Sequence, residues 1–149
     1  MTSLDSPDVY TGIPDLDVSF GGGVLSVTFN RPDSLNSLTS SMLDMLADTL
    51  TRAANDPRVR VVRLGGAGRG FSSGAGIGKD DQTNGAAMTP ADVLHAANRA
   101  VRSIVNLPKP VVAVVHGPAA GVGVSLALAS DLVIASEKAF FLLAFTKIG

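Results

Sequence analysis

Twenty consecutive residues without a formal charge, Val111 to Ser130, constrain this chain more than any other feature. A run of that length is roughly what a bilayer span requires. Here, however, it is interrupted by His116-Gly117-Pro118 and is rich in Gly, Ala and Ser. Proline and glycine break a helix, so the run divides into a β-branched strand over 111–115, a tight turn and a small-residue helix over 119–130. A continuous apolar strand is expected to be covered on both faces, as in a parallel sheet flanked by helices. The stretch points to the interior of an α/β domain and away from lipid.

The remainder of the chain repeats the same grammar. Asp17–Phe20 and Val24–Asn30 are β-prone runs joined by Gly21-Gly22-Gly23, which supplies the positive φ angles of a hairpin. Thr39 or Ser40 can cap a helix whose Leu43, Leu46, Leu50 and Ala54 share one face until Asn55-Asp56-Pro57 stops it. Val59–Leu64 reads as a strand, followed by seven glycines between residues 65 and 78. Thr89-Pro90-Ala91-Asp92 announces a helix reaching about Leu107, where Pro108 and Pro110 end it. Leu132–Ala135 completes the series as another buried strand. The order ββα, βα, βα, β predicts an α/β class with crossover helices over a partly parallel sheet.

Composition narrows the function. At 149 residues with 46% apolar content, the chain can bury one core. Residues 1–15 are expected to be a flexible tail, with neither a basic leader nor a lipidation motif, and 16–149 the core domain of a cytoplasmic protein. A net charge of -1 with scattered Lys and Arg gives no basic stripe, which argues against nucleic acid. The absence of cysteine excludes thiol catalysis and disulfides. With two histidines a metal cluster is not expected.

Two loops carry the chemistry. Phe71-Ser72-Ser73-Gly74-Ala75-Gly76-Ile77 follows a strand and offers amide N–H groups rather than an acid, a base or a nucleophile. His116-Gly117-Pro118-Ala119-Ala120-Gly121-Val122-Gly123 also follows a strand and opens a helix, whose first N–H groups lack intrahelical partners and carry partial positive charge. Gly117-x-x-x-Gly121-x-Gly123, with Glu137 beyond it, also has the spacing of a dinucleotide loop. Against that reading, Pro118 removes an amide, the loop lies far from the start of the chain, and no Tyr-x-x-x-Lys is present.

Asn30-Arg31-Pro32-Asp33-Ser34-Leu35-Asn36-Ser37-Leu38, Phe71–Ile77 and His116–Gly123 resemble, in order and spacing, three successive signatures of the crotonase (enoyl-CoA hydratase/isomerase) superfamily. The resemblance extends from Asp17 onward. It implies a spiral of ββα units and assembly of the full-length protein as a homotrimer or hexamer. It also implies an acyl-CoA thioester whose carbonyl sits between the amides of Ala75 and Val122, a two-amide oxyanion hole for reactions that pass through an enolate. Val122 stands where the family usually has glycine. Arg31, Leu35, Ser72, Ser73, Gly74, Gly76, Ile77 and Gly121 match segments that hold the substrate, largely through backbone. No cofactor is implied beyond coenzyme A as part of the substrate, and the setting is fatty-acid or acyl-CoA metabolism.

In hydratases of this kind two glutamates supply the proton transfers. The matching positions here are Ser125 and Phe145, neither of which has a usable pKa near neutrality. Orthodox hydration is therefore doubtful. A non-catalytic acyl-CoA-binding protein is the alternative, and isomerisation or thioester hydrolysis a third possibility. Asp131 matches a structural aspartate of the family. Glu137 and Lys138 are expected to be solvated, Asp80 and Asp81 to be a solvated loop pair within reach of a pocket mouth, His116 to bond backbone, and His95 to sit on a helix face. Family members run to about 250 residues, as one-domain α/β proteins can. The C-terminal helical part is thus expected to be missing from this chain, leaving an exposed apolar face.

Overall fold

A computed structural model describes residues 10–76 and 89–143. The elements are β1 (Leu16–Gly21), β2 (Val24–Phe29), α1 (Ser40–Ala54), β3 (Val61–Gly66), α2 (Pro90–Val105), β4 (Val111–Val115), β5 (Pro118–Ala120), α3 (Val122–Ala129), β6 (Leu132–Ala135) and β7 (Phe140–Leu142). β1 and β2 pair antiparallel around Gly22 and Gly23, whose φ angles of 59° and 82° suit a two-residue hairpin turn. β2, β3, β4 and β6 then pair in parallel, each reached by a crossover, so the main sheet runs β1-β2-β3-β4-β6.

A second, smaller set of parallel contacts stacks beside that sheet. Leu38 bridges Ala75, Ser72 bridges Ala119, and β5 pairs with β7. Each turn of the chain therefore lays one strand in the main sheet, touches the second ladder, and returns through a helix: β2, residue 38, α1; then β3, residues 72–75, α2; then β4, β5, α3. This is the spiral of ββα units that the resemblance implied.

The core lies between these walls. Leu43, Leu46 and Leu50 of α1 are fully buried with Leu25, Val27, Val62 and Leu64, and Phe29 meets Phe71 edge-on with centroids 5.4 Å apart. Both long helices start where the sequence indicated. The Thr39 side chain accepts from the Met42 amide at 3.2 Å, and Thr89 and Asp92 form a reciprocal capping box.

Several expectations are corrected. The third strand begins at Val61 rather than Val59, because Asp56 takes the Arg58 amide in a tight turn first. The helix expected from Ala119 begins at Val122: Pro118–Ala120 is drawn into the second ladder, and Gly121, at φ 52°, turns the chain into the helix. β4 is covered on one face only, with Val111, Ala113 and Val115 buried and Val112 and Val114 half-buried. β6 is a strand but an exposed one, because it ends the sheet and no further turn of the described residues covers it. β7, with the exposed run Phe-Phe-Leu, has no apolar alternation from which a strand is expected.

Residues 10–15, placed in the tail by sequence, pack on the core instead. Tyr10 is buried and its hydroxyl donates to Asp56 at 3.0 Å, while Ile13 bridges Leu16. At the far end Leu128, Leu132, Ile134, Phe140 and Leu143 are each more than half exposed, so the last rung presents the expected apolar face. Among the described residues no helix is long and apolar enough to cross a membrane.

Candidate active site: two crossing amide loops

The first loop is laid on the segment that precedes α1. Leu35 and Asn36 both occupy the left-handed region, at φ 53° and 56°, which asparagine tolerates and which costs a residue such as leucine about 1–2 kcal/mol. Asn36 is completely buried, and its side chain is fully used. Its Oδ1 accepts from the Arg31 amide at 2.8 Å, and Nδ2 donates to the carbonyls of Ala67 at 2.8 Å and Gly70 at 2.9 Å. The same stretch then templates residues 72–76. Ser73 N donates to Leu35 O, Leu38 N to Gly74 O, and Gly76 N to Leu38 O, at 2.8, 2.8 and 3.1 Å.

That register aims one amide. The Gly74–Ala75 peptide is trans, so its carbonyl and N–H point in opposite directions. With the carbonyl held by Leu38, the Ala75 N–H faces away from the templating segment, and no described group accepts it.

The second loop crosses the first. Ser72 N donates to Pro118 O at 3.2 Å, and Ala120 N donates back to Ser72 O at 2.8 Å. At Gly74, φ 97°, an added Cβ would lie 2.9 Å from Ala120 O and 3.5 Å from the Gly121 Cα. The residues immediately before Ala75 and Val122 are therefore in contact. Gly121 N donates to Leu142 O at 3.0 Å, and its carbonyl accepts from Val124 and Ser125. Val122 is the first residue of α3, which has no side-chain cap, and its N–H has no acceptor among the described residues. The Val122 side chain rests against the core.

The candidate residues are thus sorted. The amides of Ala75 and Val122 each follow a glycine at the crossing, and neither has an acceptor among the described residues. The backbone N–H groups of Ser72, Ser73, Gly74, Gly76 and Gly121 are all spent inside the protein. The Ser72 hydroxyl, completely buried, donates to Asn36 O at 2.9 Å and accepts from Gly74 N at 3.1 Å, so its side chain is engaged within the protein. Ser73 Oγ donates to Ser34 O, and Leu35 N to Pro32 O. Arg31 donates to Ser37 O at 3.0 Å and lies 3.8 Å from Asp15. Ile77 and Phe145 fall outside the described residues, as do Asp80 and Asp81. Ser125 is exposed on α3, one turn beyond Val122.

Other polar residues take structural posts. Asp131 accepts from the Val111 amide at 2.7 Å and returns its own N–H to Val111 O, fixing β6 to β4. His116 Nε2 contacts Gly68 O at 2.7 Å, and Ser136 Oγ donates to His116 O. Glu137 and Lys138 are exposed in a turn. His95 lines a groove of about 840 Å³ between α1 and α2 that shares no residue with the two loops. Asn36 is the residue that sequence reasoning passed over; an asparagine beside a positive-φ leucine leaves no periodic signal, and its role shows only when three distant carbonyls and amides surround it.

The groups whose protonation the fold shifts lie elsewhere. Hydrogen bonds from Arg58 hold Asp56 below the usual carboxylate range, and burial, with the Asp56 hydrogen bond next, pushes Tyr10 up to about 12. Hydrogen bonds from Thr89 lower Asp92, and those to Asp48 and Asp44 raise Arg99.

A ββα spiral with two amide loops crossing at the start of a small-residue helix is the architecture of the crotonase superfamily. The family model for enoyl-CoA hydratase/isomerase matches residues 19–149. Chain similarity agrees: the 1,2-epoxyphenylacetyl-CoA isomerase of Escherichia coli K12 is 42% identical over 129 residues, covering 85% of this chain and 49% of that protein. The crystal structure of an enoyl-CoA hydratase from Mycobacterium avium subsp. paratuberculosis K-10 superposes with a TM-score of 0.82 at 59% identity, covering 93% of this chain and 51% of that one. A second enoyl-CoA hydratase structure, from Streptomyces coelicolor A3(2), gives 0.79 at 37% identity. The chain belongs to the enoyl-CoA hydratase/isomerase family, and it spans about half the length of the relatives it matches.

Proposed function

We propose that the Ala75 and Val122 amides receive the carbonyl oxygen of an acyl-CoA thioester and stabilise the negative charge that develops there as an enolate forms. The observation that carries this reading is the sorting of the candidates. Among the described candidate residues, the N–H groups of Ala75 and Val122 have no acceptor, and they follow Gly74 and Gly121, which come together where the loops cross. Donors fixed in advance stabilise charge as it develops more than they stabilise the ground state.

Ser125, exposed beside that crossing, offers no general base, so unassisted hydration of an enoyl-CoA is not the expected reaction. Binding of the thioester carbonyl, as in a non-catalytic acyl-CoA carrier, needs the amides alone, whereas double-bond isomerisation also needs an acid or base to move the proton, which Ser125 does not supply and residues beyond those described would have to provide. The likeness to a protein named as an epoxyphenylacetyl-CoA isomerase favours isomerase-type chemistry of the two. In the full-length protein we place this activity in the cytoplasm, in a homotrimer or hexamer active in acyl-CoA metabolism, with no cofactor beyond the CoA of the substrate.

Thermal melting with ligands tests the reading. Crotonyl-CoA should raise the melting temperature while NAD leaves it unchanged. Replacing Ala75 with proline, which deletes the amide, should weaken stabilisation of the bound oxyanion by about 3 kcal/mol. A rise in melting temperature with crotonyl-CoA that is undiminished in Ala75→Pro would sink the proposal.

A further inference from the structure

Ser72 has no polar atom left for a ligand, yet it touches every part of the crossing. Its N–H and carbonyl pair with Pro118 and Ala120 of the second loop, and its hydroxyl links Asn36 O to Gly74 N. Its Cβ lies where a side chain on Gly123 would have to go, 2.8 Å from the position of an added Cβ. Ser72 thus sits under both loops at once, and Asn36 sits under Ser72.

The consequence is geometric. Gly74 is held at both ends, its N–H by the Ser72 hydroxyl and its carbonyl by Leu38 N. With φ at 97°, the residue is in a conformation that an unrestrained loop would share with others. Fixing both ends leaves the next peptide, and with it the Ala75 N–H, one orientation. An oxyanion donor is effective only within a few tenths of an ångström of its productive position, and a misplacement of 1 Å can cost about 100-fold in rate.

We infer that Ser72, seated on Asn36, is a positioning residue that sets the direction of the Ala75 amide and its separation from the Val122 amide. The inference rests on the thioester reading above, and it assigns Ser72 a role different from the ligand contact that its place in the loop suggested. Asn36 contributes through its carbonyl, which orients the Ser72 hydroxyl so that the lone pair faces Gly74 N. Because hydroxyl and amides are all buried or part of the crossing, the effect on the bound carbonyl is electronic and directional rather than a loss of contact area.

The test uses a chromophoric aryl-enoyl-CoA thioester, whose absorption moves to longer wavelength when its carbonyl is polarised. The full chain should produce such a shift on binding. Ser72→Ala should bind the thioester within about threefold of the unaltered protein while losing more than half of the shift, and any turnover should fall on the order of tenfold in kcat with little change in KM. Ser72→Cys, which keeps the volume and a weaker donor and acceptor, should recover an intermediate shift even if Ser72→Ala melts too low to saturate. A full shift in both variants would overturn the inference while leaving the thioester reading intact. No shift in the unaltered protein would remove the thioester reading and the inference with it.

Discussion

The two loops that cross at the site are braced by different means. Residues 71–76 are held by backbone bonds to Leu35 and Leu38 and also by side chains, the Ser72 hydroxyl between Asn36 O and Gly74 N and Ser73 Oγ on Ser34 O, while the Asn36 side chain fixes Ala67 and Gly70 just before them. Residues 118–123 are held by backbone alone, through Ser72, Leu142 and the first turn of α3, with glycine at the one position of positive φ. A loop of the first kind is broken by removing a polar atom. A loop of the second kind is broken by adding a carbon. The difference follows from position: the first loop lies against the segment that precedes α1, whereas the second runs directly from strand to helix and borrows the order of both.

The largest effect should come from Asn36→Ala. It strands the Arg31 amide and the Ala67 and Gly70 carbonyls, so the fold should lose on the order of 3 kcal/mol in urea unfolding, with amide exchange accelerated first in residues 67–76. Gly123→Ala comes next. The new methyl meets Ser72 Cβ and its carbonyl oxygen, at 2.8 and 2.9 Å, and should cost about 1–3 kcal/mol while faster exchange appears in residues 119–123. If both variants loosened the same residues, the distinction between the two braces would fail.

Ser125→Glu probes chemistry on the second loop rather than its bracing. The position is exposed, so stability should change by less than about 0.5 kcal/mol. A carboxylate one turn beyond the Val122 amide should bring crotonyl-CoA hydration above the level of the unaltered protein in a coupled assay, and no gain would argue against that amide facing substrate.

The smallest effect should come from outside both loops. Tyr10 has its pKa raised from 10.0 to about 12, so folding favours the protonated phenol; its contribution is complete below pH 10 and is lost as pH rises toward 12. Tyr10→Phe should flatten the fall in melting temperature across that window and leave exchange in both loops unchanged.

How much of this was legible beforehand differs by element. α1 and α2 were readable to within a residue or two at their starts, because Thr39, Thr89, Pro90 and Asp92 declare helix beginnings chemically. The hairpin was readable from Gly22 and Gly23. β5 and the late start of α3 were not, since Pro118–Ala120 is composed as a helix would be and becomes a strand only because β7 and Ser72 lie alongside it. The exposure of β6 was likewise hidden, because Leu132–Ala135 has the composition of a buried strand whatever covers it.

The same division holds at the site. The sequence by itself determined the order of ββα turns, the two amide-rich loops, and the absence of an acid at position 125, since these are matters of residue type and spacing. Which amides remain free was decided only by tertiary structure. The acceptors that consume the N–H groups of Ser72, Gly76 and Gly121 are Pro118, Leu38 and Leu142, each remote in sequence, and that of Gly74 is the Ser72 hydroxyl, whose orientation depends on Asn36; their geometry exists only once the loops cross.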